Sequence, residues 1–227
     1  MHCRPLLILL LIAGCKIAPR SYVQPTQNTP VAADIAADAK IAEMILPYTE
    51  GMSKAMDEVI GSCPAFLEKK KPRSVLGDFM AEATYQAAVA TGERIDFCLL
   101  NYGGIRSTLD SGEITIGEVY QIMPFENEIS ILTLSKAQMD TLFKIIEDKG
   151  GEPFADHTSK GQTADQNMNR TAYRVATNDY MANGGDNYAI LTEALERIDT
   201  GIKIRDGLIT YIKANNPIPL TYFPSTK

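Results

Sequence analysis

The sequence predicts a single α+β domain in which helices flank a mixed β-sheet. The apolar run Ile95–Leu100 has the length of a central strand buried on both faces. Residues Tyr173–Asn178 alternate in the pattern of a strand with one buried face. Residues 76–87, 139–146 and 204–212 each carry apolar side chains at the spacing of one buried helix face. We expect the polar turns that follow the strands to cluster on one side of the sheet.

Local signals support the individual elements. Ser74 and Ser135 are suitable N-cap residues, and Gly92 and Gly150 are suitable helix ends. Pro47 is expected to end or kink the first helix. The predicted order is a helix at 35–46, a strand at 58–61, a helix at 74–92, a strand at 95–100, an extended piece and helical turn at 112–120, a strand at 128–134, a helix at 135–150, a polar loop at 152–169, a strand at 173–178 and a helix at 204–212.

Composition is typical of one globular domain with tails. The chain has 227 residues, of which 45% are hydrophobic, enough for a real core. A formal net charge of −6, without a basic stripe carrying interleaved aromatic residues, argues against nucleic acid as a partner. Cys63 and Cys98 are interpreted either as a disulfide formed in an oxidising compartment or as two small buried residues.

The N-terminal residues predict export and lipid anchoring. Arg4 precedes a run of seven apolar residues that is too short to span a bilayer. The run leads into Ala13-Gly14-Cys15, which resembles a bacterial lipobox; a plain signal peptide with an incidental cysteine is the alternative. We expect a lipoprotein signal peptide at 1–14, lipid on Cys15, and anchoring in the bacterial cell envelope on its periplasmic or surface face.

The rest of the chain divides by composition. Residues 15–33 are rich in Pro, Thr and Gln, which predicts a flexible tether. The folded domain is expected over 34–218, followed by a tail at 219–227.

Two glycine-containing turns follow predicted strands, at Asn101–Arg106 and Asn183–Asp186. Glycine leaves the main chain open to close approach by a ligand, and Tyr180 and Asp186 offer a flat face and an acceptor across the second turn. An aromatic face, planar Arg donors and an Asp acceptor suit a nucleoside. The alternative for the second turn is an ordinary corner with an exposed Asp186.

Self-contained catalysis is not expected. His2 lies in the predicted signal peptide, and His157 stands alone in the polar loop, where we expect it to be exposed to solvent. The sequence has no P-loop and no G-x-S-x-G motif. We therefore assign no catalytic residue, metal ligand or cofactor to this chain.

The chain resembles the C-terminal domain of 5'-nucleotidases, a family that includes bacterial UDP-sugar hydrolases and the animal ecto-5'-nucleotidase. The resemblance covers residues 34–218. Four segments carry it in the order found in the family, and residues 201–211 are similar to the family's terminal helix. The four segments are Ser74–Asp78, Asn101–Arg106, Met123–Phe125 and Tyr180–Asp186.

The resemblance implies a role for each residue of the cleft. Phe125 and Tyr180 would sandwich a nucleobase, Asn101 would contact the base, and Arg106 and Asp186 would hold the ribose side. Lys70 lies near a position where the family usually has an arginine, and lysine offers a point charge instead of a planar fork. The predicted substrate-binding set is Asn101, Arg106, Phe125, Tyr180, Asp186, Gly104, Asn183 and Lys70.

Two departures from the family shape the functional hypotheses. The family's N-terminal metallophosphoesterase domain, which binds two metal ions, is absent from the sequence, and the loop after Gly151 replaces a longer segment with additional strand pairing. We therefore expect substrate recognition without hydrolysis, with a divalent metal only in a partner chain. The first hypothesis is a lipid-anchored recognition subunit that works with a separately encoded metallophosphoesterase in nucleotide catabolism. The alternatives are a catalytically inactive nucleoside-binding surface lipoprotein and an interaction module without a ligand.

Overall fold

The computed structural model of the protein describes residues 36–158 and 170–220. The predicted signal peptide, Cys15, the tether and most of the predicted tail lie outside the described residues. The chain divides into two units, Met1–Met44 and Ile45–Lys227. Helix α1 spans Ala39–Met56 and does not end at Pro47. None of the described helices is long and apolar enough to cross a membrane.

The second unit contains two sheets and five further helices within the described residues. The strands are β1 (Val59–Cys63), β2 (Phe97–Leu99), β3 (Gly112–Thr115), β4 (Glu128–Ser135), β5 (Phe154–Asp156), β6 (Ala172–Asn178) and β7 (Glu196–Lys203). The helices are α2 (Val75–Val89), α3 (Ile116–Ile122), α4 (Lys136–Asp148), α5 (Asp179–Ala182) and α6 (Ile204–Ala214), with short 3-10 turns at Tyr102–Gly104, Gly185–Asn187 and Ala189–Glu193.

The main sheet has five strands in the order β5-β2-β6-β4-β7. Strands β2 and β6 are parallel, and every other pair in this sheet is antiparallel. Strands β1 and β3 form a separate antiparallel pair. The predicted mixed sheet flanked by helices is therefore confirmed.

Side chains alternate between the two faces of the sheet, and each face packs into a separate core. On one face, Cys98, Ile131 and Ala176 join a cluster that contains apolar residues of α2 and α6. On the other face, Leu132 and Val175 join a cluster covered by α4 and by the segment after β6. Because the sheet is covered on both sides, residues 175–178 of β6 are all buried, whereas the sequence predicted only one buried face for this strand.

The N-terminal capping predictions are confirmed. The Ser74 hydroxyl accepts from the Gly77 N–H at 3.1 Å, and Ser135 begins α4 with a capping box completed by Gln138. The hydroxyl acceptors satisfy backbone donors that the first helical turn leaves without a partner. Cys63 and Cys98 are both buried and free, so the disulfide interpretation is wrong.

The predicted polar loop at 152–169 is partly wrong. Residues Phe154–Asp156 form β5, which pairs with β2 at the edge of the sheet. His157 is buried instead of exposed: its Nε2 lies 2.6 Å from a Glu82 carboxylate oxygen, and its ring stacks on Tyr85 at 3.7 Å between centroids. The acidic partner and the aromatic neighbour offset the cost of burying a polar ring. Residues 159–169 lie outside the described residues.

Candidate functional site

Strand direction brings the site residues together. Because β2 and β6 are parallel neighbours, the turn at Asn101 and the segment beginning at Asn178 leave the sheet at the same end. Strand β4 runs antiparallel to β6 and pairs Ile129 with Asn178, so the residues just before β4 also lie at this end of the sheet. Three segments far apart in the sequence therefore meet at one end of the sheet.

These segments line one open cleft of about 640 Å³. The lining residues are Asn101, Gly103, Gly104, Arg106, Phe125, Glu126, Asn127, Tyr180 and Asp186. Six of the eight predicted site residues are among them. The structure thus assembles Asn101, Gly104, Arg106, Phe125, Tyr180 and Asp186 around one space.

Two aromatic rings form exposed surface in the cleft. Phe125 is 42% exposed and Tyr180 is 47% exposed. The Arg106 guanidinium carbon lies 5.9 Å from the centre of the Phe125 ring, within the range of a cation–π contact. Large apolar faces left open to water beside polar groups are typical of a ligand site.

The Tyr180 ring packs directly on Gly185. A β-carbon built at residue 185 would lie 2.5 Å from ring carbons of Tyr180, so only glycine allows this contact. Gly184 has φ +85 and Asp186 has φ +53, and both therefore lie in the left-handed region. The turn after α5 thus supports the ring from behind and presents the Asp186 carboxylate.

A polar network forms beside the rings. Asn101 Nδ2 donates to one Asp186 carboxylate oxygen at 2.6 Å, and the Tyr180 hydroxyl donates to the other at 3.0 Å. The backbone N–H of Asp186 donates back to the Tyr180 hydroxyl at 3.2 Å. The carboxylate is held by two donors and keeps further lone pairs for hydroxyl groups of a ligand.

The loop that carries Phe125 is fixed by a buried cation. Arg205 lies with its guanidinium 3.9 Å from the centre of the Tyr120 ring and donates to the Met123 and Phe125 carbonyls at 3.4 Å. It also binds the Glu126 carboxylate, as does Lys203. Hydrogen bonds from Lys203 and Arg205 hold the pKa of Glu126 below its ordinary value. Glu126 is therefore ionised at the cleft rim.

Two predicted residues lie apart from the lining of the cleft. Lys70 is exposed and does not line the cleft; the neighbouring Lys69 donates instead to the Ile105 carbonyl at 2.8 Å. Asn183 accepts from Arg197 at 2.7 Å and is exposed. The structure therefore gives Asn183 a role in holding the turn, and it does not bring Lys70 to the other site residues.

Sequence reasoning missed three polar residues of this region. Glu126 and Asn127 directly follow Phe125 and line the cleft, and Asn127 donates to Asp179 at 2.7 Å. Asn178 is buried beneath Asn101 and donates to it at 2.9 Å. All three could have been found from their positions beside predicted site residues, at strand ends that lie at one end of the sheet.

Comparison with known proteins identifies the family. The family described as "5'-nucleotidase, C-terminal domain" matches residues 56–170, about half of the chain. The chain belongs to this family. The match includes Asn101, Arg106 and Phe125, so it covers two of the three segments that form the cleft.

Individual proteins are similar to this chain in sequence or in structure. The 5'-nucleotidase of Vibrio cholerae is 24% identical over 217 residues, which cover 87% of this chain and 38% of that protein. The trifunctional nucleotide phosphoesterase protein YfkN of Bacillus subtilis is 32% identical over 152 residues, which cover 56% of this chain and 10% of that protein. The crystal structure of a 5'-nucleotidase precursor from Thermus thermophilus superposes with a TM-score of 0.63 at 24% identity, covering 79% of this chain and 41% of that one.

The difference in length limits what is shared. The chain spans well under half the length of each of these three proteins. Among the described residues, no group of three or more His, Cys, Asp or Glu side chains is placed to hold a metal ion. The shared part is the C-terminal domain.

Proposed function

We propose that this chain recognises the nucleoside part of a nucleotide for a 5'-nucleotidase-type phosphoesterase. The observation that carries the proposal is the convergence of Phe125, Tyr180, Arg106 and Asp186 on one cleft. Exposed aromatic rings accept the flat face of a nucleobase, whereas a carboxylate accepts hydrogen bonds from ribose hydroxyls. Arg106 adds planar donors next to the Phe125 ring.

We propose further that a separately encoded metallophosphoesterase supplies the hydrolytic step. The described residues lack a grouping suited to a metal, so we assign no metal-dependent step to them. Two divalent ions activate water and stabilise the charge that develops on a transferred phosphoryl group. In this proposal the partner chain holds those ions, and this chain binds and orients the substrate for nucleotide catabolism.

Export and lipid anchoring at Cys15 complete the proposal. They rest on Arg4, the apolar run that follows it and the small residues before Cys15. The anchored chain would then work in the cell envelope, together with its catalytic partner. A nucleoside-binding lipoprotein without a catalytic partner is the alternative.

Mixing this chain with a candidate metallophosphoesterase tests the proposal. We expect phosphate release from AMP only when both chains and Mg²⁺ or Mn²⁺ are present, because binding and hydrolysis lie on different chains. Chelation of the metal is expected to abolish release. The Tyr180→Ala variant should lower the activity of the mixture without changing metal binding by the partner.

The control is a variant that lies outside the cleft. Phe66→Ala removes an aromatic side chain that is 56% exposed and lies outside the cleft, so activity should not change. If adenosine binds but no candidate partner produces hydrolysis, the subunit proposal fails and the nucleoside-binding lipoprotein remains.

A further inference from the structure

A chain of four hydrogen-bonding groups links the start of α5 to the cleft. The Met181 backbone N–H donates to Asn178 Oδ1 at 2.7 Å, and Asn178 Nδ2 donates to Asn101 Oδ1 at 2.9 Å. Asn101 Nδ2 then donates to Asp186 at 2.6 Å. Asn178 is the N-cap of α5 and does not line the cleft. Its side chain thus connects a backbone group behind the site to the carboxylate in it.

Both ends of this chain fix the direction of its hydrogen bonds. A backbone N–H only donates, and a carboxylate only accepts. Each of the two amides between them therefore has one orientation that satisfies every group. Asn178 is 2% exposed and Asn101 is 5% exposed, so water offers them few replacement partners. Reversing either amide would place two acceptors or two donors against each other.

The surroundings leave the Asn101 amide little room to move. A β-carbon at Gly103 would lie 3.1 Å from Asn101 Nδ2, and one at Gly104 would lie 3.2 Å from Asn101 Oδ1. The main chain of the turn is therefore packed closely around this amide. Asn101 is held on both sides and through both of its polar atoms.

Asp186 needs such support because of its backbone. The left-handed conformation costs free energy for a residue other than glycine, and such a residue keeps it only where its surroundings hold it there. Asn101 holds one carboxylate oxygen, and the Tyr180 hydroxyl holds the other. A carboxylate with about four lone-pair sites keeps two of them for further donors.

We propose that Asn178 is a positioning residue that acts through Asn101 to fix the Asp186 carboxylate as an acceptor for ligand hydroxyls. The inference rests on the proposed nucleoside function. It gives Asn101 a part in holding Asp186 through one N–H of its amide, while the second N–H and the second lone pair of its carbonyl remain for a ligand. Preorganised acceptors favour ligands that bring matching donors, so the chain of hydrogen bonds should set the preference for ribonucleosides over 2',3'-dideoxynucleosides.

The Asn178→Asp variant tests the direction of the chain. The carboxylate still accepts from Met181 but has no donor for Asn101, whose amide must then reverse and turn its carbonyl toward Asp186. We expect about tenfold weaker binding of adenosine, because the hydrogen bond that holds the Asp186 carboxylate toward the ribose hydroxyls is lost. The affinity for 2',3'-dideoxyadenosine, which lacks those hydroxyls, should change less than about twofold. Asn187→Asp adds the same charge next to Asp186 on an exposed side chain and should leave the ratio of the two affinities unchanged.

A second measurement needs no ligand. In Asn178→Asp/Asp186→Asn, the new amide at 186 can donate to the reversed Asn101 carbonyl. Asp186→Asn should therefore favour the folded state about tenfold more in the Asn178→Asp background than in the parent, measured as the change in the unfolding equilibrium constant. If Asn178→Asp does not fold, Asn178→Ser keeps a favoured N-cap oxygen on a side chain one heavy atom shorter, which moves the donor at residue 178 away from Asn101. This variant should lower the ribose preference in the same way.

The outcomes separate this inference from the proposed function. Additivity of the two substitutions within about twofold would mean that Asn178 is only a helix cap, which overturns the inference. A ratio of adenosine to dideoxyadenosine affinity that stays at the parent value also overturns it. If the parent binds neither nucleoside, the proposed function fails, and the unfolding cycle still decides whether Asn178 positions Asp186.

Discussion

Replacing Phe125 or Tyr180 by alanine is expected to weaken adenosine binding by about 5- to 150-fold each. Stacking of a base on an aromatic side chain contributes about 1–3 kcal/mol, and each 1.4 kcal/mol is tenfold in affinity. Both rings line the cleft and are about half exposed, so truncation removes contact area without opening the core. Isothermal titration calorimetry with adenosine measures the change directly.

The matched control is Phe66→Ala. Phe66 is more exposed than either cleft ring and lies outside the cleft, so its truncation should leave adenosine affinity within about twofold of the parent. Parent-like affinity of both Phe125→Ala and Tyr180→Ala would show that the base binds elsewhere. Unchanged thermal unfolding of the variants would confirm that the loss is local.

Gly185→Ala is expected to weaken adenosine binding by about tenfold or more. The added methyl group would lie 2.5 Å from carbon atoms of the Tyr180 ring, so the ring must move away. The Tyr180 hydroxyl would then leave the Asp186 carboxylate, so one small substitution disturbs both the aromatic wall and the acceptor. Titration with adenosine is again the measurement.

A helix glycine provides the control for this substitution. Gly51 lies in α1 with no atom within 4 Å of an added β-carbon, and Gly51→Ala should not change binding. Because Gly185 acts through Tyr180, the Tyr180→Ala/Gly185→Ala double variant should bind no more weakly than Tyr180→Ala. Additive losses in the double variant would contradict this mechanism.

Local patterns in the sequence predicted most of the fold. The apolar run at β2, the apolar stripe of α4 and the N-caps Ser74 and Ser135 all depend on neighbours within a few residues. Strand β7 was missed because it lies at the sheet edge and is mostly polar; its inward face carries two apolar residues, Ile198 and Ile202, which are only partly buried. Strand β5 was missed because three residues in a polar stretch become a strand only by pairing with β2.

Long-range partners explain the remaining errors. His157 looked like a surface residue because its sequence neighbours are polar, but its partner Glu82 lies 75 positions away. Asn178 was counted only as the last residue of a strand. Its role depends on the parallel pairing of β2 and β6, which brings Asn101 above it. The cleft residues that lie in family motifs were predicted as a set, whereas the hydrogen bonds that hold them could be seen only in the folded chain.

A crystal structure of the protein with bound adenosine tests the central claim most directly. We predict adenine between Phe125 and Tyr180 and the ribose hydroxyls within hydrogen-bond distance of Asp186, with Asn101 still donating to that carboxylate. A second groove of about 520 Å³ lies between α2 and α6, lined by residues that include Ala87, Gly207 and Tyr211. Adenosine bound in that groove, with the cleft at Tyr180 unchanged, would contradict the account.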